Sequence, residues 1–155
     1  MRKKKLVCFF DQYIQGTQEK AFIIEQTMYL CRLSRKVNKC LRLSSQKIYI
    51  TTKCLKHLYD RKPAQEFEVI LKYINNILEL PLEIYSNKQG KAGDYVFVNK
   101  IGEERYLAVI EISKGLTETG FIETNYVVTC FKIRDENYLK SYKLLWSWKD
   151  GTPSS

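Results

Sequence analysis

The 155 residues match one domain in size, and 45% hydrophobic content is enough for a real core. The formal net charge of +9 is unevenly placed: residues 1–56 hold 13 Lys or Arg against 3 Asp or Glu, and residues 57–155 hold 13 against 14. That asymmetry suits a polyanion or an acidic partner, while five cysteines at wide, irregular spacings without a CxxC exclude a zinc ribbon or a dithiol redox motif.

Arg2–Lys5 give the chain a basic start like that of a signal peptide, but the apolar run Leu6–Phe10 ends at Asp11. It is too short for a leader or a membrane span. The expectation is a cytoplasmic chain with reduced thiols and no integral membrane association. Leu6–Phe10 reads as a short strand or a packing arm. After a break at Gly16 and Thr17, residues Phe22, Ile23, Ile24, Met28, Tyr29, Leu30, Cys31 and Leu33 read as an apolar helix. Residues 32–47, RLSRKVNKCLRLSSQK, alternate cations with apolar side chains and read as a basic amphipathic helix that Ser44 and Ser45 end. With Arg32, the cations Arg35, Lys36, Lys39 and Arg42 can face phosphates without reading sequence. A solvated helix face is the plain alternative, and docking on a membrane surface or a partner is another.

Ile48–Ile50 predict a brief strand, and Thr51 or Thr52 can cap the helix that carries His57, the single histidine. On a helical wheel Cys54, Leu55, Leu58 and Tyr59 share one arc, and Lys53, Lys56, His57, Asp60 and Arg61 share the other. His57 is flanked at i−4 and i+4 by Lys53 and Arg61, and histidine alone can both give and take a proton near neutral pH when unperturbed. Pro63 stops this helix. From Ala64, the residues Phe67, Ile70, Leu71, Ile74, Ile77 and Leu78 recur at helical spacing up to Pro81, which marks the core helix.

The period then changes to two. Glu83–Ser86 reads as a strand, and residues 94–100 and 105–113 as a hairpin with Gly102 in its turn. A loop with Gly115 and Gly120 follows. In the strand 122–133, Val127, Thr129 and Phe131 should share one face and Tyr126, Val128, Cys130 and Lys132 the other. A turn or short helix and a strand with Trp146 and Trp148 close the chain. The order predicts an α+β fold with N-terminal helices packed on a curved antiparallel sheet of about four strands. One domain, 1–155, divides into a basic helical N-terminal region (1–46) and a core (47–155).

From Ile48 onward the chain resembles the phage-associated branch of the barnase, EndoU, colicin and RelE-like nucleases. The residues that carry the likeness are the strand Ile48-Tyr49-Ile50-Thr51 with the Lys56-His57 pair, and the helix end Ile77-Leu78-Glu79-Leu80-Pro81. Two strand pieces, Tyr106–Val109 and Val128–Phe131, complete it. The resemblance implies helices packed on a curved antiparallel sheet, and RNA cleavage without a metal or other cofactor. It implies His57 as the acid or base, Thr129 as a polar group on the central strand, and Arg134 and Lys114 as further site cations. Such chemistry needs a base for the ribose 2′-hydroxyl, an acid for the leaving 5′-oxygen and cations for the phosphorane. With a single histidine, the second proton-transfer role falls to a lysine, tyrosine or carboxylate. Lys53, Lys56, Arg61 and Lys132 join the cations that can neutralise phosphate.

Other schemes lack their motifs. The sequence holds no G-x-S-x-G, Walker loop or GxGxxG, and no clustered carboxylates for a metal; Cys54 falls on the buried arc, where a thiol is a poor nucleophile. Two functions stand at this point. One is an endoribonuclease acting on RNA as a toxin or defence effector, with a neutralising protein partner. The other is a non-catalytic module that binds nucleic acid or protein through its basic N-terminal region.

Overall fold

The computed structural model describes residues 5–149 and 152–154; Arg2–Lys4 of the basic lead-in lie outside the described residues. The elements run α1 (Lys5–Tyr13), β1 (Thr27–Arg32), α2 (Arg35–Leu41), β2 (Lys47–Thr51), α3 (Thr52–Arg61), α4 (Ala64–Glu79), β3 (Glu83–Ser86) and β4 (Tyr95–Ile101). β5 (Glu104–Thr117), β6 (Gly120–Lys132), β7 (Lys143–Lys149) and β8 (Thr152–Ser154) follow. The mixed α+β class holds. Among the described residues the sheet has eight strands, in the order β1-β2-β6-β5-β4-β3-β7-β8, where about four were expected. It is also not wholly antiparallel, because β2 runs parallel to β6.

α4 forms where the apolar period is clearest. Phe67, Ile70, Ile74, Ile77 and Leu78 are buried against one face of the sheet, each worth about 2 kcal/mol of apolar burial. From the sheet side they meet Ile48, Ile50, Ala108, Ile110, Val127 and Cys130. On the opposite face a smaller cluster gathers Tyr85, Val96, Val98, Leu107 and Val109 under Leu139 and Tyr142.

Four local expectations are corrected. Leu6–Phe10 lies in α1, not in a strand, with Leu6 and Phe9 buried at helical spacing. Residues 22–33 are not a helix: residues 21–26 are without regular structure and β1 covers Thr27–Arg32. Buried Thr52 explains part of that choice, since its hydroxyl donates to the Ile24 carbonyl at 2.8 Å and accepts from the Gln26 amide at 2.9 Å. The stretch with Gly115 and Gly120 is not a loop either; β5 and β6 stay paired out to Thr117 and Gly120. The basic helix is shorter than expected, capped by Ser34 at its start and ended by Arg42 in the left-handed region at φ 55°.

Elsewhere the local chemistry works as read. The Thr51 hydroxyl accepts from the Cys54 amide at 3.1 Å and starts α3. The β4–β5 hairpin closes through a two-residue turn with Gly102 at φ 61°, the positive sign such turns require.

Candidate active site

β2 pairs with β6 only at Ile48 and Tyr49. Beyond Tyr126 the place beside β6 is taken by α3, whose Cys54 thiol donates to the Val128 carbonyl at 3.5 Å. Burial pushes that thiol up to about 12, so Cys54 packs and is no nucleophile. Just after α3, the Lys62 ammonium lies 5.0 Å from the centre of the Phe131 ring. α3 thus flanks the strand, and its outer side reaches the sheet face away from α4.

The strand itself changes phase there. Val109 pairs with Thr129 and Ile110 with Val127, so Val128 is an extra residue, a bulge. Val127 and Cys130 point into the α4-side core, and Val128 and Phe131 pack in the smaller cluster. The expected strict alternation from Tyr126 to Lys132 is therefore corrected at Val128. The bulge is what turns Val128 and Thr129 toward the same cavity.

That cavity, of about 330 Å³, is lined by His57 of α3, Val128, Thr129 and Phe131 of β6, Val96, Leu107 and Val109 of β4 and β5, and Asn87, Lys91, Tyr138 and Tyr142. Its size falls within the range of small-ligand sites. The loop bearing Lys91 is closed by Asn87, whose amide donates to the carbonyls of Ala92 at 2.8 Å and Gly93 at 3.1 Å. Gly93 sits at φ 95°, and a β-carbon there would lie 2.3 Å from the Val109 side chain, so glycine lets the loop press onto the cavity floor. Residues 135–142 form successive turns that lay Tyr138, Leu139 and Tyr142 on the sheet.

Lys91 donates to the Tyr142 hydroxyl at 3.0 Å and lies 5.2 Å from the Tyr138 ring centre, while Lys88 sits 4.8 Å from the Tyr142 ring. The two tyrosine rings stack at 5.7 Å. Burial pushes the Tyr142 phenol up, but the hydrogen bonds from Lys91 and with Tyr138, and the charges of Lys91 and Lys88, bring it below its ordinary value. The bond to Tyr142 and the nearby Tyr138 hold the Lys91 ammonium above its own. Burial, and then Tyr142, push Tyr138 the other way, upward. A cation, an acidified phenol, an imidazole and a hydroxyl therefore line one concave surface.

The other sequence candidates lie elsewhere. Lys56 was expected on the solvated arc but is only 6% exposed, and its ammonium binds Asp60 at 2.8 Å, the Thr17 hydroxyl at 2.8 Å and the Gln18 carbonyl at 2.6 Å. It holds the turn after α1 against α3 and has no surface for phosphate. Arg134 pairs with the buried Glu66 carboxylate of α4 and is not in the cavity lining. Lys132 lies 4.0 Å from Glu104. Lys114 is on the β5–β6 hairpin, beside Ser44, Phe121 and Glu123. Lys53 and Arg61 are exposed on the His57 side of α3, and Lys39 and Arg42 are exposed around α2. Arg35 and Lys36 line a separate cleft of about 530 Å³ with Trp146 and Trp148, where Lys36 sits 5.6 Å from the Trp148 ring.

A family model described as phage-Barnase-EndoU-ColicinE5/D-RelE like nuclease2 matches residues 32–146. The chain belongs to this nuclease family. The nuclease match begins at Arg32, ahead of the Ile48 start read from sequence, so α2 and every residue lining the cavity fall within it. No curated protein and no solved structure matches the chain.

Sequence reading of this nuclease did not single out Lys91, Tyr138 and Tyr142, which share the cavity with His57. A lysine between two glycines at 90 and 93, and two tyrosines at i, i+4 spacing around Leu139 in a mostly polar turn, were the available signs. Among the described residues, no helix is long and apolar enough to cross a membrane, and no three His, Cys, Asp or Glu side chains gather as metal ligands do.

Proposed function

We propose that the protein is a metal-independent endoribonuclease that cleaves RNA by attack of a ribose 2′-hydroxyl on the adjacent phosphate. The observation that carries this reading is the meeting of His57 and Thr129 with Lys91 and Tyr142 in one cavity. His57 takes the proton of the 2′-hydroxyl as its oxygen bonds to phosphorus. Lys91 neutralises the charge that builds on the phosphorane oxygens, and Thr129 orients the phosphate. The phosphorus–5′-oxygen bond breaks, and Tyr142, acidified by Lys91, protonates the leaving oxygen. The products are a 2′,3′-cyclic phosphate and a 5′-hydroxyl end, so no external reactant is consumed.

Incubation of the purified protein with total RNA in EDTA, followed by end-group analysis, tests this reading. Cyclic phosphate ends that vanish in His57→Ala support it; cleavage that requires a divalent ion, or that survives His57→Ala, refutes it. A cytoplasmic toxin or defence effector held by a neutralising protein partner is the biological setting this chemistry suits.

A second reading, a non-catalytic nucleic-acid- or protein-binding module, is favoured by one observation, the cleft that Arg35 and Lys36 share with Trp146 and Trp148. It predicts binding without cleavage, lost when Arg35, Lys36, Lys39 and Arg42 are neutralised.

A further inference from the structure

Tyr29, Tyr49 and Tyr126 occupy paired positions on the three neighbouring strands β1, β2 and β6. Their ring centres lie 5.8 Å and 6.2 Å apart. Each projects from the face opposite the α4 core, because the alternate residues Ile48, Ile50 and Val127 are buried on the other side. Tyr29 is 41% exposed, and Tyr49 and Tyr126 line a cleft of about 400 Å³ with Thr27, Lys47 and Thr124. Glu123, at the same cleft, accepts a hydrogen bond from the Ser44 hydroxyl at 2.8 Å.

This face is shared with the His57 cavity. Three residues after Tyr126, about 10 Å along β6, Thr129 lines that cavity. Lys47 stands at the start of β2, and Lys53 lies one helical turn before His57 on the exposed side of α3. Cross-strand aromatic pairs add some stability to a sheet. The apolar half of this same face is covered by Leu139 and Tyr142, whereas the tyrosine half faces an open cleft with Lys47 at its border and Glu123 held by Ser44. Rings in a row beside positive charge are what successive bases of a single strand stack on.

We propose that Tyr29, Tyr49 and Tyr126 form a stacking platform for single-stranded RNA, which delivers the strand to the His57 cavity. The destination of the strand rests on the catalytic reading above; the platform itself does not. A duplex keeps its bases stacked inside and cannot use these rings, so the substrate class is a single-stranded loop, end or unpaired segment.

The test is fluorescence anisotropy with a strand of about 12 nucleotides carrying 2′-fluoro groups, which cannot undergo 2′-hydroxyl attack. The protein should bind this strand at least tenfold more tightly than the same sequence as a duplex. Tyr49→Leu and Tyr126→Leu should each weaken binding about tenfold, while Tyr49→Phe and Tyr126→Phe keep it, since stacking needs the ring and not the hydroxyl. Leucine variants that bind like the parent chain, or duplex bound as tightly as the single strand, overturn the platform. A measurement on the unaltered protein guards against misfolded variants: photocross-linking of 5-iodouridine strands should map to these three tyrosines, and cross-links confined to other faces refute it. If the protein leaves RNA uncut yet stacks the fluorinated strand, the platform stands and the catalytic reading falls. If it cuts RNA and the leucine variants bind normally, the platform alone falls.

Discussion

The two sides of α3 put neighbouring residues to opposite uses. Lys56 faces inward, 6% exposed, with three oxygen partners that satisfy its ammonium. His57, the next residue, is exposed and faces a cavity with Lys91, Thr129 and Tyr142. The same division separates Arg134, held by buried Glu66, from Lys91, whose partner is a phenol that lines the cavity. A cation with a full set of carboxylate and carbonyl partners fixes the fold, and its charge is already spent on them. A cation beside a neutral, ionisable partner keeps its charge available to a phosphate. Charge in this chain must therefore be sorted by partner, not counted.

The sharpest way to break that contrast is to exchange the fates of the neighbours. His57→Ala should lower RNA cleavage by about a thousandfold, in the range that a general base contributes, with thermal stability unchanged. A melting temperature that falls along with activity would place His57 with the structural cations. Lys56→Met should do the reverse. It leaves Asp60, Thr17 and the Gln18 carbonyl without their buried cation and should cost about 3 kcal/mol in denaturant unfolding, while cleavage per folded molecule persists.

Asp60 gives that prediction a pH signature. Burial acts to raise its carboxyl, but the hydrogen bonds from Lys56 and from the Lys20 amide, and the positive charges nearby, hold it below the ordinary carboxylate value. A carboxyl held low in the folded state stabilises the fold at pH above its unfolded value, and that contribution fades as pH falls through the folded value. Asp60→Asn should therefore be less stable than the parent chain at neutral pH, and the two unfolding curves should converge as pH drops below about 4. Parallel curves down to strong acid would show that the carboxylate charge contributes nothing.

How much of this was legible in the chain follows from the same physics. α3, α4 and the β4–β5 hairpin were readable because apolar period, cap and turn residues agree locally at Thr51, Pro63, Gly102 and Pro81. Residues 22–33 were not, because their apolar richness fits a helix and a buried strand equally, and the choice is made by Thr52 and by pairing with β2. His57 and Thr129 were singled out by residue type and the family likeness, and both line the same cavity. Their partners Lys91 and Tyr142 come from loops distant in sequence, and only the sheet order and the Val128 bulge bring them together. Lys56 was misread because a helical wheel shows which arc a residue occupies, not that α1 and its following turn cover that arc.

The Lys91–Tyr142 pair offers the next test, with a smaller effect. Tyr142→Phe should lower cleavage about a hundredfold with the strand still bound, as expected for loss of a proton donor to the leaving group. Since Lys91 holds the phenol below its usual value near 10, activity should decline at alkaline pH below that value, as the phenol loses its proton. Lys91→Met removes the charge and the hydrogen bond, so the alkaline limb should move upward even as the maximal rate falls. A limb that stays in place would mean that Tyr142 does not supply the proton.

The smallest expected effect belongs to the exposed cations of α2, which the charge asymmetry first brought forward. They lie within the family match but line a different cleft from His57. If they only attract the strand, neutralising Arg35, Lys36, Lys39 and Arg42 together should weaken binding of single-stranded RNA at moderate salt. The slope of log affinity against log salt should flatten by about 0.7 for each phosphate that the protein no longer neutralises. The rate of cleavage at saturating RNA should stay within about twofold, because screened surface charge acts on encounter and not on the bound phosphorane. A large fall in the saturated rate would move α2 from attraction to chemistry, and so erase the proposed distinction between the exposed cations of α2 and the groups of the His57 cavity.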